Sequence, residues 1–174
     1  MDLKTYIRNV KDFPKPGIMF RDITTLLKSP EAFGYTLNQL LEFTKGKNIN
    51  KVVGIESRGF IFGSALSHKL GCGFIPVRKP GKLPAEKVSI FYSLEYGDDK
   101  LEIHKDAIQS GDKVLVHDDL LATGGTMNAV CQLIEKLGGE VVQVSFIVEL
   151  SFLNGRDKLK SYDVRSMVNY ENEE

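Results

Sequence analysis

Residues 116–126 read VHDDLLATGGT. Asp118 and Asp119 close an apolar, strand-like run, and Thr123 and Thr126 flank a Gly124–Gly125 pair that opens a helical pattern. Carboxylates at the end of a strand can accept hydrogen bonds from vicinal hydroxyls, or hold a Mg²⁺ ion through its waters. The glycines permit close backbone approach, the threonines add hydroxyl donors, and a helix starting near Thr126 offers free N–H groups and a positive dipole end. Acids for a sugar followed by a cradle for a phosphate describe a ribose 5-phosphate site. An isolated Asp-Asp or Gly-Gly is ordinarily just a capped turn, so the strand–turn–helix context carries this reading. No lysine completes a GxxxxGK[ST] loop and no GxGxxG occurs, so ATPase and dehydrogenase chemistry find little support.

Two further stretches bear charge suited to phosphate. Arg58, in ESRG, could grip a phosphate with two parallel hydrogen bonds. VRKPGKLP gathers Arg78, Lys79 and Lys82 within five residues, although such a run is usually a solvated face. The acids Glu95 and Glu102 stand in a later, hairpin-like region.

The elements that must position these residues alternate. KVVGI (51–55), GFIPV (73–77), VLVH (114–117) and VVQVSFIV (141–148) read as strands. Between them, Phe62, Ala65 and Leu66 mark one helix face, ending at Gly71. Val130, Leu133, Ile134 and Leu137 mark another, ended by Gly138–Gly139. Ser29 and Pro30 open an earlier helix with Phe33, Leu37, Leu40 and Leu41 on one stripe. This alternation predicts an α/β fold with a parallel sheet covered on both faces. Residues 82–106 break the rhythm with a hairpin turning at Gly97–Asp98–Asp99, whose polar, tyrosine-rich character suits a mobile cover. Residues 1–30 hold a short polar helix candidate ahead of FPKPGIMFRDITTLL, and VNYENEE at 168–174 suggests a frayed acidic tail.

Lys+Arg and Asp+Glu both total 23, so no global field favours nucleic acid or an anionic membrane. No run approaches ~18 apolar residues and MDLKTYIRNV lacks an apolar leader core, which predicts a cytoplasmic protein with no membrane partner. Cys72 and Cys131 read as reduced core residues, and His68 and His117 as structural.

VLVHDDLLATGGT resembles the phosphoribosyl pyrophosphate (PRPP) motif of the type I phosphoribosyltransferases. FPKPGIMFRDIT, GIESRGFIFG, VRKPGKLP, YSLEYG, LEIHKDA and FIVEL are similar, in order from residue 13 to 150, to the members of that family that act on adenine. The resemblance implies one domain over 1–174, with a hood over 1–30 and a flap hairpin over 82–106. The implied reaction is adenine plus PRPP giving AMP plus pyrophosphate with Mg²⁺, in a homodimer. Ala122, Thr123, Gly124, Gly125 and Thr126 would cradle the 5′-phosphate. Asp118 and Asp119 would face the ribose hydroxyls, near a Mg²⁺ held through PRPP and water. Ser57 and Arg58 would form the pyrophosphate loop, joined by Arg78, Lys79 and Lys82, which reach a neighbouring site across the dimer. Glu95 would carry the purine proton, with Glu102 as its rival, while Tyr96 packs with the flap and His104 adds a pyrophosphate contact.

Adenine would lie between Phe20 and Leu150, its edge read by main-chain groups near Met19 and Arg21. Met19 stands where the resemblance leads one to expect a smaller aliphatic residue. Relatives that use 6-oxopurines read the exocyclic oxygen with a lysine where this chain has FIVELSF, which favours adenine. A regulator that senses PRPP while binding nucleic acid would carry extra length or a basic face, and this chain has neither.

Overall fold

The polar opening stretch folds as a hairpin. In this computed structural model, which describes residues 1–93 and 98–173, the short helix expected near the start is a single 3-10 turn, Leu3–Tyr6. The chain then pairs β1 (Arg8–Lys11) with antiparallel β2 (Met19–Asp22). The β-branched Ile7 and Val10 favour extended backbone, and Arg8 Nε donates to Asp22 Oδ2 across the pair at 2.9 Å. After α1 (Thr24–Leu27), α2 (Pro30–Glu42) starts as expected: Ser29 Oγ accepts the Ala32 N–H at 3.3 Å and Pro30 takes the first position.

The predicted βα units follow: β3 (Lys51–Ile55), α3 (Gly59–Leu70) and β4 (Gly73–Val77). Next come β5 (Lys87–Ser93) and antiparallel β6 (Asp98–His104), then β7 (Lys113–His117), β8 (Leu120–Leu121) and α4 (Gly125–Lys136). β9 (Glu140–Leu150), two 3-10 turns (Ser151–Leu153 and Gly155–Leu159) and β10 (Val164–Tyr170) complete the order. The central sheet runs β10–β9–β7–β3–β4 with all neighbours parallel, and β8 continues beside β9.

Both sheet faces are covered, as the near-continuous apolar strands require. Leu40, Phe62 and Leu66 from α2 and α3 pack with Val52, Leu115 and Ile147 on one side. On the other, Val130, Leu133 and Ile134 of α4 meet Val53, Ile55 and Val116, together with Leu101 and Ile103 of the β5–β6 hairpin. Full burial of each such side chain is worth about 1.5–3 kcal/mol. The hairpin is therefore anchored in the core by its inner face, and its polar residues describe only its outer one.

The C-terminal reading is also corrected. Residues 168–170 are not frayed: they end β10, with Val168 and Tyr170 buried, because Val168 and Tyr170 point to one side of a strand paired with Val148 and Leu150. Among the described residues, no helix is long and apolar enough to cross a membrane.

Candidate active site

The two acids occupy a break in the sheet. β7 ends at His117 and β8 begins at Leu120, while β9 passes both. Asp118 N–H donates to Ser145 O at 3.2 Å, and Asp119 O accepts from Ile147 and Val148 N–H at 3.1 and 2.9 Å. β9 thus fixes the backbone of both acids and leaves their side chains to point beyond the strand ends. Ligands of open parallel sheets bind there.

Asp119 Oδ2 lies 2.9 Å from Arg58 Nε. Arg58 caps α3, which approaches closely because a Cβ on Gly59 would lie 2.8 Å from His117 O. The Arg58 guanidinium in turn sits 4.9 Å from the Phe20 ring centre, a cation–π arrangement. Phe13 meets that ring edge-on at 5.1 Å. Val10, Phe13, Phe20, Asp22, Thr24 and Arg58 line a cleft of about 330 Å³, within the range of small-molecule pockets. Acids, guanidinium and aromatic cleft form one continuous line. Burial and the adjacent Asp119 carboxylate push Asp118 well above the usual carboxylate range. Burial raises Asp119 as well, against the opposing pull of Arg58.

The glycine turn behaves as its composition suggests. Gly124 takes φ 76° before α4, whose first residues are Gly125 and Thr126. Asp118, Ala122, Thr123, Gly124 and Thr126 border a small hollow of about 80 Å³ at the helix start.

The basic segment is organised by two glutamates that the sequence did not single out for this role. Glu56 accepts from Arg78 Nε and Nη2 at 3.3 and 3.2 Å, and from Lys79 N–H at 2.8 Å. Burial alone would raise its carboxyl, but the Lys79 and Arg78 bonds hold it below the usual range. Glu102 is buried and accepts from Gly81 N–H at 3.1 Å, while its backbone pairs with Arg78. Its carboxylate is committed to shaping the 78–82 loop. Arg78 faces Glu56, Lys79 lies 3.7 Å from Asp99 Oδ2, and Lys82 and Ser57 are exposed.

Other expectations are placed as follows. Met19 and Phe20 are half-buried on β2. Arg21 is buried: Nη1 donates to Asn9 Oδ1 at 2.7 Å, Nη2 to Glu173 O at 3.0 Å, and the guanidinium stacks 3.9 Å from the Tyr170 ring centre. Met19, Arg21 and Leu150 are not among the residues lining the Phe20 cleft; Leu150 packs against the α2–α3 core. Val10, Phe13, Asp22 and Thr24 line the cleft with Phe20 and Arg58; Phe13, Asp22 and Thr24 lie inside the FPKPGIMFRDIT stretch, but only the pairing of β1 with β2 and the start of α1 set them around one cleft. His104 Nε2 accepts the Ala85 N–H at 3.4 Å. His117 is buried against Ser145 Oγ at 3.0 Å, and burial holds it neutral with its pKa lowered to about 3. Cys72 and Cys131 are free thiols. Glu95 and Tyr96 lie outside the described residues.

The sequence pattern of the phosphoribosyl transferase domain matches residues 27–173. The chain belongs to the phosphoribosyltransferase family. Within it, adenine phosphoribosyltransferases are the similar proteins. One from Clostridium botulinum (strain Hall) is 56% identical over 170 residues, covering 98% of this chain and 99% of the relative. The crystal structure of the phosphoribosyltransferase from Thermoanaerobacter pseudethanolicus superposes with a TM-score of 0.95 at 51% identity, covering 97% and 98% of the two chains. That from Saccharomyces cerevisiae, complexed with an imino-altritol bisphosphate and adenine, gives 0.90 at 40% identity, covering 95% and 96%. The type I phosphoribosyltransferase fold expected from the motif is the fold observed.

Proposed function

We infer that this chain is an adenine phosphoribosyltransferase, transferring the 5-phosphoribosyl group of PRPP to adenine to give AMP and pyrophosphate in purine salvage. The observation that carries this reading is the unbroken line from Asp118–Asp119 through Arg58 to the Phe20 cleft. It supports reading the acids as a sugar-phosphate site beside an aromatic slot, since one guanidinium borders both.

We assign the roles from that geometry together with the family resemblance, which alone gives Glu95 its part. Residues 122–126 receive the 5′-phosphate on free helix N–H groups and threonine hydroxyls. Asp118 and Asp119 accept from the ribose hydroxyls. Arg58 and Ser57, with Lys79 and Lys82, meet the pyrophosphate as its negative charge grows in the oxocarbenium-like transition state. The base enters against Phe20, with N9 directed at the anomeric carbon; holding these atoms in line supplies much of the rate. Glu95 takes the purine proton.

Mg²⁺ fits this site because two adjacent carboxylates, Asp119 buried and Asp118 half-buried, stand at the sugar position, and hard cations take oxygen ligands. Among the described residues no group of three or more His, Cys, Asp or Glu converges to hold a metal, so PRPP and water would complete its shell. The ion would supply charge neutralisation at the departing pyrophosphate. We place the enzyme in the cytoplasm, where free thiols such as Cys72 and Cys131 persist, and in a homodimer whose basic 78–82 loops reach the neighbouring site.

The test is Mg²⁺- and PRPP-dependent conversion of adenine to AMP, run beside hypoxanthine, guanine, xanthine and orotate. Turnover of adenine alone is expected. Turnover of an oxopurine instead would mean that the Phe20 cleft was misread, and PRPP binding without turnover would favour a sensor.

A further inference from the structure

The 3-10 segment joining β9 to β10 lies against the phosphate loop, although no motif gives it a role. Asn154 adopts φ 53° and turns the chain so that Gly155 meets residues 122–124. A Cβ on Gly155 would stand 2.2 Å from Ala122 O, and one on Gly124 would stand 2.3 Å from Gly155 O. Backbone therefore rests on backbone where the phosphate cradle turns, at a separation only glycine allows.

The next residue is pinned. Arg156 Nε and Nη2 lie 2.7 Å from the two oxygens of Glu149. Its Nη1 and Nη2 also donate to Val164 O at 3.2 Å and Ser166 Oγ at 3.1 Å, and Ser166 Oγ donates to Glu149 in turn. Leu159, fully buried beneath α4, anchors the other end of the segment. A forked, two-bond ion pair fixes orientation as well as distance, which a single ammonium would not do. Such pairs are weak evidence for added stability, so a purpose in positioning is the stronger reading.

We propose that Gly155 and Arg156, clasped by Glu149, are positioning residues that hold loop 122–126 in its phosphate-binding shape. This rests on the assignment of that loop to the 5′-phosphate of PRPP. Neither residue touches substrate; both act through the carbonyl of Ala122 and the turn at Gly124. Glu149 precedes Leu150 at the end of β9, so the clasp springs from the strand that also carries the backbone of Asp118 and Asp119.

Initial rates would be measured for wild type, Gly155→Ala, Arg156→Lys and Arg156→Ala, varying PRPP at saturating adenine and the reverse, with urea unfolding alongside. Gly155→Ala and Arg156→Ala should raise KM for PRPP about tenfold or more, within the roughly 100-fold that a misplacement of about 1 Å can cost. KM for adenine and kcat should stay within about twofold, the signature of binding lost on one substrate. Arg156→Lys should fall between Arg156→Ala and wild type. An unchanged KM for PRPP in the folded variants overturns the proposal. So does a parallel loss of both substrates that tracks stability, which would mark a merely structural clasp. If Gly155→Ala fails to fold, the two Arg156 variants decide. A wild-type protein that neither binds PRPP by calorimetry nor turns over a base removes the underlying assignment, and is recognised before any variant is made.

Discussion

At the scale of residues, Asp118 and Arg58 give the sharpest expectations. Asp118 has its proton affinity raised by burial and by Asp119. Ribose hydroxyls and a nearby cation favour the ionised form, so PRPP binding should release a proton and weaken as pH falls through the raised Asp118 pKa. Calorimetry in buffers of different ionisation enthalpy measures that release. Asp119→Asn should shrink it by removing the repulsion, and a proton count that Asp119→Asn leaves unchanged would contradict the coupling. Arg58→Lys keeps the charge but loses the fork. A lost charge-assisted bond costs about 1.5–3 kcal/mol, or about 10–150-fold in kcat/KM for PRPP. Both residues were legible in the sequence because the motif places them. Glu56 was not, since nothing in ESRG says that its carboxylate turns back to a loop more than twenty residues away.

At the scale of elements, periodicity located β3, β4, β7 and β9 of the central sheet and the helices α2, α3 and α4, because each buries apolar side chains in the core. The opening hairpin and β10 escaped it. β1 carries Arg8, Asn9 and Lys11 on exposed positions and is defined by pairing with β2, not by a pattern of its own. β10 hides its apolar residues behind an acidic ending. Two substitutions separate local from functional support. Ser29→Ala removes the α2 cap and should lower stability by about 1 kcal/mol, read in urea unfolding, with steady-state kinetics unaltered. Glu102→Ala should instead leave the Gly81 N–H without its acceptor and loosen the 78–82 loop. Its KM for PRPP should rise at wild-type KM for adenine; equal rises in both would show that Glu102 serves the whole site.

At the scale of the whole molecule, His117 ties acid stability to the core. In the folded protein its pKa is lowered to about 3, below the ordinary value of about 6.5 in an unfolded chain. The unfolded state therefore binds an extra proton between those values. Stability is at its full level above the unfolded value and falls on acidification by up to about 1.4 kcal/mol per pH unit across that window. His117→Phe should flatten this part of the acid-unfolding profile, whereas an unchanged slope would place the sensitivity elsewhere. The same scale gives Arg21 its meaning: its guanidinium, held by Asn9, Tyr170 and Glu173, joins the β1–β2 hairpin to the far edge of the sheet. That link orders events on the ribosome. The hairpin bordering the base cleft is synthesised first, yet it gains its brace only after residues 164–173 have left the exit tunnel. Val164 and Ser166, which hold Arg156 beside the phosphate loop, emerge within that same stretch, so the adenine side and the phosphate side of the nascent site gain their support in one step.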